Sequence, residues 1–453
     1  MIAEQMIVEF VRGVRLTDIP STAVEVIRNQ VLAVLGTTIA GACEEGCETV
    51  VTMAKELEGK PEASILIHGG KAPAQHAAFA NGVMARAIDF CDALAPGAHI
   101  GAAAITAALA TAELVGGCSG ADFVAAIAAG TEVAVRLNLG ESEYDGFDPT
   151  GVCVPFASTA AATKIMGLSE KQTCNALALA FNRCGASFQS NVDGALAVRV
   201  IQGWVAETGV TCARLASRGI TGPANFLEGI YGYFHLFGRD RMTGEKVVSG
   251  LGADYELRKL VFKKYPSCGS TQGSTEAILT LMREEGVEAE NIDRIEIVVP
   301  PYTYKLVGHP FQIGANPKVN AQFSIRYCVA NALVRGEAKL AHFEESSVRN
   351  SKIVELAKRI EVRPDPAMES RGHTALDMRV TMKNGKELLR KVDFAPGFPE
   401  KPLAPEEHQR RFHDCISFAG KPLPKEKSGC ILHEIERLER MEDVRGLIPL
   451  LTA

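Results

Sequence analysis

Apolar residues recur at helical spacing through the first 260 positions, and beyond that point stretches of strict alternation appear among the helices. Pro20-Ser21-Thr22 opens a helix that carries Val24, Ile27, Val31 and Leu35 at three- and four-residue steps and ends at Gly41. Residues 46–58 form another helix, and Ser64-Ile65-Leu66-Ile67 reads as a short strand before the glycine pair at 69 and 70. Ser119 with Asp122, and Ser169 with Gln172, stand in capping-box spacing ahead of two more helices. The pattern predicts a further helix from Pro155 to Met166. Alanine dominates these segments, as in AAAITAALATAEL, FVAAIAAG and FASTAAATKIMG. Small side chains let helix axes approach closely, which suits helices buried on several sides.

After about residue 260, Ile295, Ile297 and Val299 alternate with Arg294, Glu296 and Val298, the period of a strand. Residues 375–394 predict a hairpin, because Asn384-Gly385 supplies a turn with positive φ between two β-forming runs. Helical segments at Ser324–Arg335 and Asn350–Arg359 lie between, and the chain turns helical again from Pro405 to Leu447. The expected fold is mainly α with an α+β part: a large all-helical domain of residues 1–260 completed by 395–453, and a smaller α+β domain of residues 261–394.

A length of 453 residues exceeds one ordinary compact core, in keeping with two domains. The net charge of −6 and the absence of a basic cluster argue against nucleic acid or an anionic membrane as partner. None of the twelve cysteines forms a C-x-x-C pair or has a histidine at zinc-finger spacing, so no structural metal is expected. With no signal pattern and no membrane-length apolar run, the chain is expected to be cytoplasmic.

Nucleotide-binding, G-x-S-x-G and H-E-x-x-H motifs are absent, which turns attention to acid–base chemistry without a cofactor. Four places can carry it. Asp89, Asp92 and His99 share a loop between two Ala-rich helices, and the second helix starts within two residues of His99. A helix N-terminus there would attract a carboxylate and keep the imidazole neutral, as a general base needs; a polar helix–helix turn is the competing reading. Tyr144–Gly151 forms a turn-rich loop in which Asp148 is either an acid–base carboxylate or the N-cap of the helix that Pro149 begins. Lys263 and Lys264 open the stretch Lys263–Gln272, where they either hold a substrate carboxylate or face solvent. Pro300–Lys305 reads as a kinked strand exit with Tyr302 and Tyr304 as hydroxyl donors.

Taken together, NGVMARAIDFCD, GAHIGAAAITAALATAEL, GFDPTGV, GWVAETGVTCARLASRGITGP, LEGIYGYF, KKYPSCGSTQ, AQFSIRYCVANAL and PGFPEKPL resemble the MmgE/PrpD family, in the same order and spacing over nearly the whole chain. The family includes 2-methylcitrate dehydratase, cis-aconitate decarboxylase and iminodisuccinate epimerase. The resemblance implies a helical domain built from both chain ends, an α+β lid, a homodimer, a small carboxylic-acid substrate and no metal or organic cofactor. It also implies roles by position: Asp89 matches the first acid of D-F-D-D, His99 the histidine of H-P-S, Lys263 the lysine of K-x-Y-P-S-C, and Tyr304 the tyrosine after the lid strand. On this reading His99 is the base oriented by Asp89, Lys263 anchors a carboxylate, and Tyr304 is an acid or anion-stabilising donor.

The sequence departs from the family at four cationic or histidine positions and one threonine. Asp148 replaces the histidine of G-F-H-P-T and stands as a second acid–base candidate. Val198 and Ile201 replace the lysine and histidine of K-x-x-H-x-G, with Arg199 and Gln202 as adjacent polar substitutes for binding substrate. Gln272 replaces a further histidine, and Ala93 a threonine of decarboxylase-like members. A less cationic site favours a substrate with fewer carboxylates than citrate or aconitate. The leading expectation is a dehydratase-type lyase that abstracts a proton next to a carboxylate or carbonyl. An epimerase or isomerase, and a small-acid binder that has lost catalysis, are the alternatives.

Overall fold

A computed structural model describes residues 3–95, 97–140 and 146–452. The chain folds as two compact units, Met1–Leu260 with Cys415–Ala453, and Val261–Asp414.

The first unit is helical. Its longer helices are Ala3–Gly13, Ser21–Gly41, Cys47–Glu56, Ala74–Arg86, Gly101–Leu114, Gly120–Leu137, Pro149–Ile165, Glu170–Phe181 and Ala197–Ser217. The alanine-rich pattern has its physical counterpart in burial: every residue from Gly101 to Ala112 is buried, so the helix has no solvent face to mark with charge. Packing is closest between Ala74–Arg86 and Ala197–Ser217. A Cβ placed on Gly82 would lie 2.9 Å from the Gln202 carbonyl oxygen, and one on Gly203 would lie 2.6 Å from Val83 Cγ2. Ser21–Gly41 has the length and composition to cross a membrane, yet most of it is buried inside this unit. The chain's last segment completes the unit through backbone bonds: Val444 N–H donates to the Cys118 carbonyl at 3.0 Å and Ile67 N–H to the Leu451 carbonyl at 2.6 Å.

Capping follows the sequence closely. Ser119 accepts from the Asp122 N–H, and Ser169 with Gln172 forms a reciprocal capping box. Two expectations change. The strand at Ser64–Ile67 shrinks to Ala63–Ser64 paired with Lys71–Ala72. The helix starts at Pro149, as the N-cap reading of Asp148 has it, and runs through Pro155, where a separate helix was expected to begin. Proline cannot bond back to the carbonyl four residues earlier, and that carbonyl, of Gly151, accepts from the Gly185 N–H at 2.9 Å instead.

The second unit is built on a four-stranded sheet in the order Ile360–Pro364, Ile292–Val299, Leu376–Met382, Glu387–Val392. The first pair is parallel, with Ile295 opposite Ile360, and the other two pairs are antiparallel. Ile295, Ile297 and Val299 point into the core as their alternation predicts. Ile292 is buried too, although three residues from Ile295, because a register shift between Ile292 and Arg294 absorbs one residue. The turn ahead of the last strand has Gly385 at φ 84°, as the Asn-Gly pair requires. Helices Gln272–Glu285 and Ile325–Arg335 cover the sheet's apolar face. Residues 395–414 are part of this unit, where the Phe262 N–H donates to the Gly397 carbonyl at 2.9 Å. The stretch after Val299 is not a strand exit: Pro300 caps a helix, Pro301–Val307, that carries Tyr304.

Two histidines of this unit are buried as neutral rings. Burial, with Arg411 adding to it, pushes His408 down to about 3, and burial with Arg335 pushes His342 down to about 4. Both pKa values lie below that of an unfolded histidine, near 6.5, so the unfolded chain takes up protons first as pH falls. Their contribution to stability is complete above about 6.5 and is lost progressively toward pH 4. Denaturant unfolding at pH 7, 6 and 5 should show stability falling over that window, with a shallower slope for His408→Gln than for the wild type.

Candidate active site

The Ala74–Arg86 helix ends in a loop that begins with an irregular backbone and closes at the next helix. Asp89 sits at φ 51°, a left-handed conformation that aspartate tolerates better than most residues. Arg86, three residues earlier, donates from Nη1 to Asp89 Oδ1 at 2.7 Å, and both side chains are largely buried. Burial alone would pull the Arg86 guanidinium down, but the carboxylates of Asp89 and Asp148 outweigh it and raise its pKa.

His99 is held at both ends of its peptide and at its ring. Its N–H donates to Thr150 Oγ1 at 3.2 Å, and its carbonyl accepts from Gln202 Nε2 at 2.7 Å. The ring nitrogen Nδ1 lies 2.8 Å from the Asp92 carbonyl oxygen. A carbonyl only accepts, so Nδ1 carries the hydrogen and Nε2 holds the lone pair of the neutral ring. Nε2 is 3.6 Å from Asp89 Oδ1. Asp89 therefore faces Nε2, and the Asp92 carbonyl, not Asp89, holds Nδ1. An imidazolium formed by taking a proton on Nε2 would lie beside the Asp89 carboxylate.

The helix end after His99 is already occupied. Gly101 N–H lies 3.0 Å from both Asp92 carboxylate oxygens, so this donor is turned to an internal anion and not offered to a substrate. Asp92 is fully buried and also accepts from Gln30 Nε2 at 2.9 Å. Burial raises its pKa, against the pull of those donors.

Asp148 behaves as an N-cap. Its Oδ1 accepts from the Thr150 N–H at 2.9 Å and its Oδ2 from Asn191 Nδ2 at 3.2 Å. Burial is the largest influence and raises its pKa, while the Thr150 N–H, Arg86 and Asn191 pull the other way. Tyr144 and Asp145, from the same candidate loop, lie outside the described residues. Arg199 is turned to the preceding surface loop, with Nη1 2.5 Å from the Glu45 carbonyl oxygen and Nη2 3.6 Å from the Glu44 carboxylate. Gln202 is fully buried and spends its donor on the His99 carbonyl; its Oε1 has no hydrogen-bond partner.

The second unit holds the other candidates. Lys263 is 4 % exposed. Lys264 is locked between Glu276 at 2.9 Å and Glu407 at 2.8 Å, so it does not face solvent as a free cation. Gln272 is fully buried and staples the turn before it: Oε1 accepts from the Tyr265 N–H, and Nε2 donates to the Tyr265 and Ser267 carbonyls. Its amide serves the loop. Tyr304 is half-buried, its ring 5.2 Å from that of His309. Arg326 lies within electrostatic reach of it, burial lowers the arginine's pKa, and its Nε is buried without a partner.

Sequence reasoning passed over Arg86, Thr150, Gln30 and Arg326. The spacing of Arg86 and Asp89 was a usable signal; Gln30, 62 residues before Asp92, gave none. Among the described residues no group of three His, Cys, Asp or Glu side chains is placed to hold a metal ion.

The MmgE/PrpD N-terminal domain matches residues 5–245 and the MmgE/PrpD C-terminal domain residues 265–432. The chain belongs to the MmgE/PrpD family. Among curated members it is 26 % identical to the human cis-aconitate decarboxylase over 392 residues, covering 84 % of this chain and 79 % of that protein. It is 24 % identical to the mouse cis-aconitate decarboxylase, over 97 % of this chain and 91 % of the mouse protein. A cis-aconitate decarboxylase-like protein of Aspergillus oryzae is 22 % identical over 98 % of this chain and 96 % of its own length. The helical first unit and the mixed sheet with helices in the second are the family's two domains by sequence match.

Asparagine caps a helix about as well as aspartate, whereas alanine at an N-cap costs about 1 kcal/mol. Asp148→Ala should therefore lower stability by about that amount, and Asp148→Asn by little. A raised folded-state pKa means that Asp148 favours folding below the unfolded value and loses that contribution as pH rises through the folded one. Urea titrations should show Asp148→Asn improving relative to wild type between pH 4 and neutrality.

Proposed function

We propose that the protein is a lyase acting on a small organic acid by proton transfer at a carbon next to a carboxylate or carbonyl, with His99 as the general base. The observation that carries this reading is the state of the His99 ring. Nδ1–H is committed to the Asp92 carbonyl, and Nε2 is left as a base facing the Asp89 carboxylate. The Arg86 ion pair favours the ionised form of Asp89, which in turn would stabilise the imidazolium that proton abstraction creates. Lys263 keeps its suggested role as the anchor of a substrate carboxylate, and Tyr304 as donor to the leaving group or developing anion. The named activity of the relatives, decarboxylation of cis-aconitate, is also a lyase reaction and supports the class.

The charge around His99 bears on how many carboxylates the substrate carries. Among the described residues, the charged side chains near His99 include one cation, Arg86, and the acids Asp89, Asp92 and Asp148. That balance does not suit a tricarboxylate on this side of the site, and an acid with fewer carboxylates is the reading we favour. An epimerase is the second reading. It is favoured by Asp148, whose raised pKa and proximity to Arg86 make it a candidate for the opposite-face proton. Neither reading calls on a cofactor.

The family resemblance also leads us to propose a homodimer in a reducing, cytoplasmic setting. All twelve cysteines are free thiols, in keeping with that setting. Trp204, Ile220, Ile230, Tyr231 and Leu236 of the first unit are exposed apolar side chains that a second copy would cover.

General-base catalysis contributes about 10²- to 10⁴-fold. His99→Gln should lower turnover of a small-acid substrate by at least about 10²-fold while thermal unfolding stays near wild type; a fully active variant would falsify the assignment. In deuterium oxide, a new alkene absorbance marks elimination, carbon dioxide release marks decarboxylation, and label uptake without change of formula marks epimerisation. Light scattering should give a dimer mass for the wild type and a monomer mass for a variant carrying Ile230→Asp and Tyr231→Lys.

A further inference from the structure

We propose that Asp92 is a positioning residue for His99, one that sets the tautomer of the base through its backbone carbonyl and holds that carbonyl in place with its buried side chain. The inference rests on His99 being the base, and it concerns a residue that touches no reacting atom.

Asp92 does two jobs with different atoms. Its carbonyl accepts the His99 Nδ1–H at 2.8 Å. Its carboxylate, on the same residue, accepts from Gly101 N–H at 3.0 Å and from Gln30 Nε2 at 2.9 Å. The carboxylate is thus pinned to the first residue of the helix that begins two positions after His99. With both ends of the 92–101 loop tied together, the carbonyl's direction is fixed relative to the imidazole.

The anchor extends into the helical core. Gln30 lies in the Ser21–Gly41 helix, is fully buried, and accepts from Thr131 Oγ1 of the Gly120–Leu137 helix at 3.3 Å. A side chain on residue 101 would overlap the Asp92 Oδ1 atom and press on Gln30 Cγ, so glycine there leaves room for the cap. The His99 peptide is clamped separately, its N–H by Thr150 and its carbonyl by Gln202. Those two clamps fix where the residue sits; at the ring, Cys91 Sγ lies 3.7 Å from Nδ1 and Asp89 Oδ1 3.6 Å from Nε2, and the Asp92 carbonyl, nearest at 2.8 Å and able only to accept, favours hydrogen on Nδ1.

A buried carboxylate used merely to cap a helix has a cheap substitute, since serine, threonine or asparagine caps as well on the surface. A fully buried charge is expensive unless it is surrounded by donors. Placing one here gives three donor bonds to a single rigid point beside the base, which is how orienting partners act on catalytic and metal-binding histidines.

Nitrogen-15 NMR of histidine-labelled protein, without substrate, reads the tautomer directly. The His99 signals are those missing from His99→Gln. The wild type should show His99 with hydrogen on Nδ1. In Asp92→Asn an amide NH₂ replaces one acceptor opposite Gly101 N–H and Gln30 Nε2, and the Nδ1–H form should fall from nearly all to about half or less. If Asp92→Asn does not fold, Gln30→Met removes one donor from the same anchor and should shift the tautomer in the same direction by a smaller amount. Hydrogen on Nε2 in the wild type overturns the proposal. So does an unchanged tautomer in whichever of the two variants folds. Because no turnover enters the measurement, failure here is distinct from failure of the catalytic reading, which the activity of His99→Gln decides.

Discussion

The close approach of the Ala74–Arg86 and Ala197–Ser217 helices is the constraint on which the first unit's site depends. Gly82 and Gly203 leave no room for a methyl group between the two backbones. That separation lets Gln202, on one helix, reach the His99 carbonyl in the loop that follows the other, where Arg86 pairs locally with Asp89 three residues on. Interiors pack at crystal-like density, so a wider spacing would not be absorbed locally but would pass to the loop between them. The alanine-rich composition is the other half of the same constraint, because the Gly101–Leu114 helix must be buried along nearly its whole length to bring its first turn beside His99.

Within that frame the electrostatics divide into two kinds of acid. Asp92 and Asp148 are buried, hold raised pKa values, and have their oxygens occupied by peptide and amide donors. They build helix ends. Asp89 differs: it pairs with Arg86 and lies opposite Nε2 of His99. Three aspartates, two on one loop and Asp148 on another, thus separate by environment rather than by residue type.

The second unit uses the same economy of buried amides. Gln272 and Gln322 hold the turn after Lys263 from two sides, with Gln322 Nε2 donating to the Pro266 carbonyl at 3.0 Å. A histidine expected by family resemblance at position 272 would be titratable, whereas glutamine offers one acceptor and two donors at every pH. The substitution therefore removes a charge and supplies a staple.

Much of the fold was legible because it rests on local rules. Helix caps at Ser119 and Ser169, the alternating strand at Ile295–Val299 and the Asn384-Gly385 turn all follow from bonds between residues a few positions apart. The helix start at Pro149 with Asp148 as cap was legible in the same way, whereas its continuation through Pro155 was not, because the freed Gly151 carbonyl is taken up by the distant Gly185 N–H. Asp89 and His99 stood out as candidates by resemblance. Which nitrogen of His99 faces Asp89 was not legible, since Nδ1 meets the carbonyl of Asp92, a residue whose carboxylate accepts from Gln30, 62 residues before it in the chain. Sequence determined most of the elements, through short-range backbone geometry and capping; tertiary structure decided which carboxylate faces Nε2 of His99, because long-range hydrogen bonds and burial set direction and charge.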